Sequence, residues 1–87
     1  MKVNHKNGVE MITFYVLESN RTNNYVHYYF RNYIENHPGF ISTEDFMDAM
    51  AWNKRKQAIE FLKENGLDTD FHVEMKQNEY FPDQLVY

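Results

Sequence analysis

The 87-residue sequence has no cysteine, which excludes a disulfide framework, a thiolate metal site and a cysteine nucleophile. A thiol-free chain fits a reducing compartment. Long apolar runs are also missing: the longest, Met11 to Leu17 (MITFYVL), falls far short of the roughly 18 to 20 residues that a membrane span needs. Nothing at the start reads as a signal peptide, so a soluble, cytoplasmic protein is expected. The three glycines, Gly8, Gly39 and Gly66, are too scattered to build a phosphate-cradling loop. Neither Ser19 nor Ser42 lies in a G-x-S-x-G elbow. His5, His27, His37 and His72 show no spacing that would set two imidazoles on one helix face. Glu44, Asp45 and Asp48 read as acids that complement a helix dipole. The expectation is therefore of a protein with no catalytic residues, no metal and no cofactor.

Basic residues are scarce in the last third. Residues 1–56 hold seven Lys/Arg against six Asp/Glu, whereas residues 57–87 hold two against seven, a balance of −5 within a net charge of −4. Such a field disfavours wrapping a nucleic-acid backbone and suits a basic partner.

What is present is enough apolar residue, 43%, for one small core, rich in aromatics at 17%. A single domain over residues 1–87 is expected. The first ten residues show no period and should be loosely held. Gly8 to Met11 can be encoded as a ribosome-binding sequence, which leaves Met1 and Met11 as alternative starts. Met11–Leu17 predicts a central strand, and the polar 18–24 a reversal. His37-Pro38-Gly39 predicts a turn leading to a short return strand at Phe40-Ile41. Ser42 followed by Glu44 and Asp45 predicts the N-cap of a short helix over about 43–50, with Phe46 and Met50 one turn apart. A longer helix over about 54–65 follows, capped by Asn53, striped by Ala58, Phe61 and Leu62, and stopped by Gly66-Leu67. Phe71, Val73 and Met75 alternate with His72, Glu74 and Lys76, which predicts a strand with one solvated side. The fold class is α+β: a small antiparallel sheet packed against one short and one longer helix, with both helices on one face.

Residues 23–33, NNYVHYYFRNY, carry five aromatic rings in eleven positions. As a helix, Val26, Phe30, Tyr33 and Ile34 would share a face; as a strand, Val26, Tyr28 and Phe30 would face the core while Tyr25, His27, Tyr29, Arg31 and Tyr33 face outward. The density of Tyr, Val and Phe favours the strand. Aromatics interleaved with a cation would make a base-stacking platform, so binding of single-stranded nucleic acid is the alternative function. A protein partner uses the same tyrosines at less electrostatic cost, and the apolar end Leu85-Val86-Tyr87 could pair with a second copy.

The pattern YVHYYF, GFISTEDFMDAMAW, NKRKQAIEFLKENGL and FHVEMK, from Tyr25 to Lys76, resembles small proteins encoded by bacteriophages of low-GC Gram-positive hosts. The shared pattern is one of core positions and transfers no site residues. The resemblance implies an early product that binds and inhibits a protein of the host cell. Some proteins of that kind imitate DNA with arrayed carboxylates. Glu60 and Glu64, one helical turn apart, with Asp68, Asp70 and Glu74, would serve in such an array. The expected partner is then a basic nucleic-acid-binding protein of the histone-like kind.

Overall fold

The apolar run Met11–Leu17 has no polar face, and a strand of that kind must be covered on both sides. In a computed structural model, which describes residues 2–6, 9–32 and 37–85 and the side chains of residues 10–27 and 41–85, the run forms the middle of strand β2 (Val9–Ser19). The expected central strand is therefore present and longer than the run itself. Along one edge β2 pairs with strand β6 (Phe71–Asn78) without interruption, from Ile12↔Asn78 to Ser19↔Phe71. Three strands share its other edge: β1 (Lys2–Lys6) beside residues 9–13, β5 (Met50–Trp52) beside Tyr15 and Val16, and β3 (Tyr25–Asn32) at Glu18. Strand β4 (His37–Thr43) pairs with β3, and β7 (Gln84–Leu85) runs parallel to β5, completing a seven-stranded sheet that is otherwise antiparallel.

Alternation along β2 feeds two cores. Phe14 and Val16 join Ile12, Tyr25, Ala49 and Ala51 on one face, with Phe46 and Met47 packed over them. Leu17 joins Val26, Trp52, Leu67 and Phe71 on the other, where helix α1 (Arg55–Glu64) contributes Ala58 and Leu62. The short helical element, a 3-10 turn at Phe46–Asp48, thus covers the face opposite α1, and the expectation of both helices on one face is corrected.

The reversal read at 18–24 forms over 20–24, Glu18 and Ser19 remaining in β2: Ser19 Oγ accepts from the N–H groups of Arg21 and Thr22, and Ser19 N–H donates to the Asn24 carbonyl. The firmest match is the end of α1. Gly66 sits at φ 65°, its N–H donates to the Lys63 carbonyl, and Leu67 N–H donates to that of Leu62, a Schellman stop with Leu67 buried.

Other expectations give way to pairing. Lys2–Lys6, read as loosely held, forms β1 against residues 9–13 of β2. His37-Pro38-Gly39 is already strand, opposite Asn32, Arg31 and Phe30; among the described residues β4 has only β3 as neighbour, and an edge strand tolerates proline. Ser42 pairs with Val26 instead of opening the helical turn; Asp45 is the cap, accepting from Met47 N–H at 2.9 Å. Met50 is not helical, because Ala51 and Trp52 are drawn into the ladder with Val16 and Tyr15. At α1, Lys54 rather than Asn53 is the cap residue and makes no side-chain cap bond, while Asn53 Oδ1 is buried without a partner among the described residues. No helix among the described residues is long and apolar enough to cross a membrane.

Candidate functional site

Four of the five singled-out acids share one region. Glu60 and Glu64 are exposed on α1, and Asp68 and Asp70 are exposed in the segment that follows it. The turn is tied down through its backbone: Asn20 N–H donates to the Asp70 carbonyl, and Asn20 Nδ2 to that of Thr69. None of the four carboxylates forms an ion pair or side-chain hydrogen bond among the described residues. Glu74 does not join them. Its strand faces away from α1 at this position, and it is half-buried, with Oε1 2.9 Å from His72 Nε2.

The charges at the start of α1 run against its dipole. Lys54 and Arg55 open the helix, no acid lies in its first turn, and Glu64 closes it beside Lys63. A helix N-terminus carries partial positive charge and favours anions, so this order costs stability. Charges set against a local rule mark positions that answer to something other than folding.

The tyrosine row is not assembled as read. Tyr25 was expected to face outward; it is only 8% exposed, packed edge-on to Phe46 at 6.3 Å. The physical reason is that β3 is sandwiched where it meets β2, so Val26 and Tyr25 enter opposite cores. One residue further, the β3–β4 register shifts between Val26 and Tyr28. That extra residue breaks the alternate count on which the row Tyr25, Tyr29, Tyr33 depended. Tyr29 and Arg31 lie in β3 opposite Phe40 and Pro38, and Tyr33 lies outside the described residues. The strand reading of residues 25–32 holds; the helical one does not. Of the apolar end, Leu85 is in β7 beside Ala51, and Val86 and Tyr87 lie outside the described residues.

A second cluster escaped the sequence. Glu18 on β2 stands directly opposite His72 on β6, and with Glu74 the three offer ligand atoms within 4.8 Å of one another. Asn20 Nδ2 donates to the Thr69 carbonyl, which turns Asn20 Oδ1 towards His72 Nδ1, 2.6 Å away. That orientation assigns a proton to Nδ1, and Nε2 faces Glu74. Two carboxylates and an imidazole could hold a divalent cation, with Asn20 orienting the ring. Both ring nitrogens already lie within hydrogen-bond distance of an oxygen. Only the cross-strand register, 54 residues apart for Glu18 and His72, brings the group together.

A cleft of about 330 Å³ opens between the 19–24 turn and β4, with Arg21 and Asp70 as its charged lining and Ser42 and Phe71 beside them. Ser19 Oγ, also in its wall, accepts from two backbone N–H groups. No histidine is bonded to either serine among the described residues. Compared with models of protein families, with curated proteins and with solved structures, the chain matches none.

Proposed function

We propose that this chain is a non-enzymatic binding protein that inhibits or modulates a basic partner, engaging it through the carboxylates of α1 and the following turn. The observation that carries the reading is that Glu60, Glu64, Asp68 and Asp70 are all exposed and unpaired among the described residues. Carboxylates already solvated and free of internal partners can meet Lys and Arg of another protein without breaking a native bond. A nucleic-acid-binding protein of the histone-like kind, in a host cell that a phage exploits, presents the complementary charge. Lys54, Arg55 and Lys56 at the opposite end of α1 confine the contact to the helix's C-terminal half and the turn. They also give the partner a fixed orientation, since reversing it would set like charges together.

The test is competition. A fluorescent duplex bound to a histone-like protein should be released on addition of the chain, with an effect that weakens as salt rises. The combined substitution Glu60→Gln, Glu64→Gln, Asp68→Asn and Asp70→Asn should abolish release while leaving the circular dichroism spectrum unchanged. Equal release by the neutralised variant would sink the proposal.

A further inference from the structure

Strand β6 has β2 along one edge and no strand along the other among the described residues. Among the described residues no further backbone hydrogen bond reaches 72–78. Half of the N–H and C=O groups of a strand point to each side, so this edge offers a row of unpaired groups. Natural edges are blunted by proline, by bulges, by short length or by outward lysines. Here eight residues pair with β2 in unbroken register, with neither proline nor glycine among them. The single lysine, Lys76, leans back across the sheet, with Nζ 5.2 Å from the Tyr25 ring centroid and 5.4 Å from that of Phe46. Met75, between Glu74 and Lys76, is 53% exposed. The edge is eight residues long and carries none of these guards.

We propose that β6 pairs antiparallel with β6 of a second copy, on a two-fold axis at Met75. Side chains opposite each other must lie on the same face, so the axis has to pass through a residue. Centring on Met75 sets Glu74 against Lys76 of the second copy, twice by symmetry, drawing Lys76 from the Tyr25 and Phe46 rings and Glu74 from His72, and on the other face sets Met75 against its own copy and Val73 against Gln77. The alternatives are worse. An axis at Glu74 opposes two glutamates, one at Lys76 opposes two lysines, and one at Val73 leaves only residues 71–75 in the ladder. The sequence FHVEMKQN is thus self-complementary in one register, and that register uses seven of its eight residues. A foreign strand would have no reason to meet this charge order, whereas a second copy brings it. The contact does not use the α1 carboxylates, and it stands or falls apart from the function proposed for them.

Sedimentation of the full chain from low micromolar to submillimolar concentration should show a monomer–dimer equilibrium. Glu74→Lys and Lys76→Glu should each weaken it about ten-fold or more, because both symmetric pairs become repulsive. An equimolar mixture of the two variants should recover the affinity as a heterodimer, in which every lysine again meets a glutamate. This recovery separates pairing from any loss of stability that either substitution causes alone. Since the chain has no cysteine, Met75→Cys gives a single thiol on the axis, where directly opposed residues lie within disulfide reach. It should cross-link under mild oxidation much faster than Asp83→Cys, an exposed site away from β6. A monomer at every concentration overturns the proposal, as does a mixture no tighter than its components or equal cross-linking at the two thiols.

Discussion

Gln84 donates from Nε2 to the carbonyl of His27, 57 residues earlier in the chain, at 3.1 Å. The same amide nitrogen lies 2.8 Å from the Asp48 carbonyl, and His27 Nδ1 lies 2.6 Å from that oxygen. One side chain therefore ties β7 to the start of β3 and to the 3-10 turn. Gln84→Ala should cost about 1–2 kcal/mol, the usual net worth of such bonds. Gln84→Glu keeps the shape but turns a carboxylate on two carbonyl oxygens, and should cost more than the alanine. Urea unfolding of the three proteins checks the order; an equal cost for both substitutions would deny Gln84 this role.

Lys76 spans the face that carries Tyr25 and Phe46, its ammonium within 5.4 Å of both ring centroids. Lys76→Met retains the stem and most of its cover and removes the charge. A loss of about 0.5–1 kcal/mol is expected, the range for a partly exposed cation over an aromatic face. No loss in a denaturation midpoint would mean that only the methylenes matter there.

At the start of α1 the cap position is held by Lys54, which makes no side-chain cap bond. Lys54→Asp supplies an acceptor for the free N–H groups and an anion at the positive end of the dipole, together about 1 kcal/mol of added stability. For a domain of this size that raises the melting temperature by about 4–8 °C. An unchanged or lower melting temperature would show that the lysine is not a liability to the fold.

Gly66 is held at φ 65°, and a Cβ placed on it would meet no atom within 4 Å. The penalty of Gly66→Ala is then conformational alone, about 1 kcal/mol for a left-handed L-residue. Gly66→Asn should cost less, because asparagine visits this region more readily. Thermal melts of both variants decide it; equal costs would place the strain elsewhere.

Those elements whose signals are local were legible in the sequence. MITFYVL has no polar face and became the central strand; Ala58, Leu62 and Gly66-Leu67 carry the helical stripe and its stop within a few residues. Phe46 and Met50, four apart, share no helix because the 3-10 turn that starts at Phe46 ends at Asp48 and Met50 already begins β5. Ala51 and Trp52 have their partners in β2 35 and 37 residues away, and nothing in DAMAW announces it. The outward tyrosine row failed for a related reason: whether β3 is covered on one face or two depends on β2 and the 3-10 turn, not on β3. Of the acidic set, the four on α1 and its turn could be read together from helical spacing and adjacency. Glu74 could not be separated from them, nor joined to His72 and Glu18, without the β2–β6 register.

The order in which β2 acquires its neighbours bears on how the chain comes off the ribosome. One edge can be occupied early, by β1 and β3, whose residues lie close by in sequence. The other must wait for β6, and Gln77 reaches Thr13 across 64 residues. Until the last quarter has been synthesised, the most apolar strand has one side open, and closing so long a loop is slow. The nascent protein is therefore most exposed to misassociation through Met11–Leu17, at the moment when its eventual partner has yet to emerge.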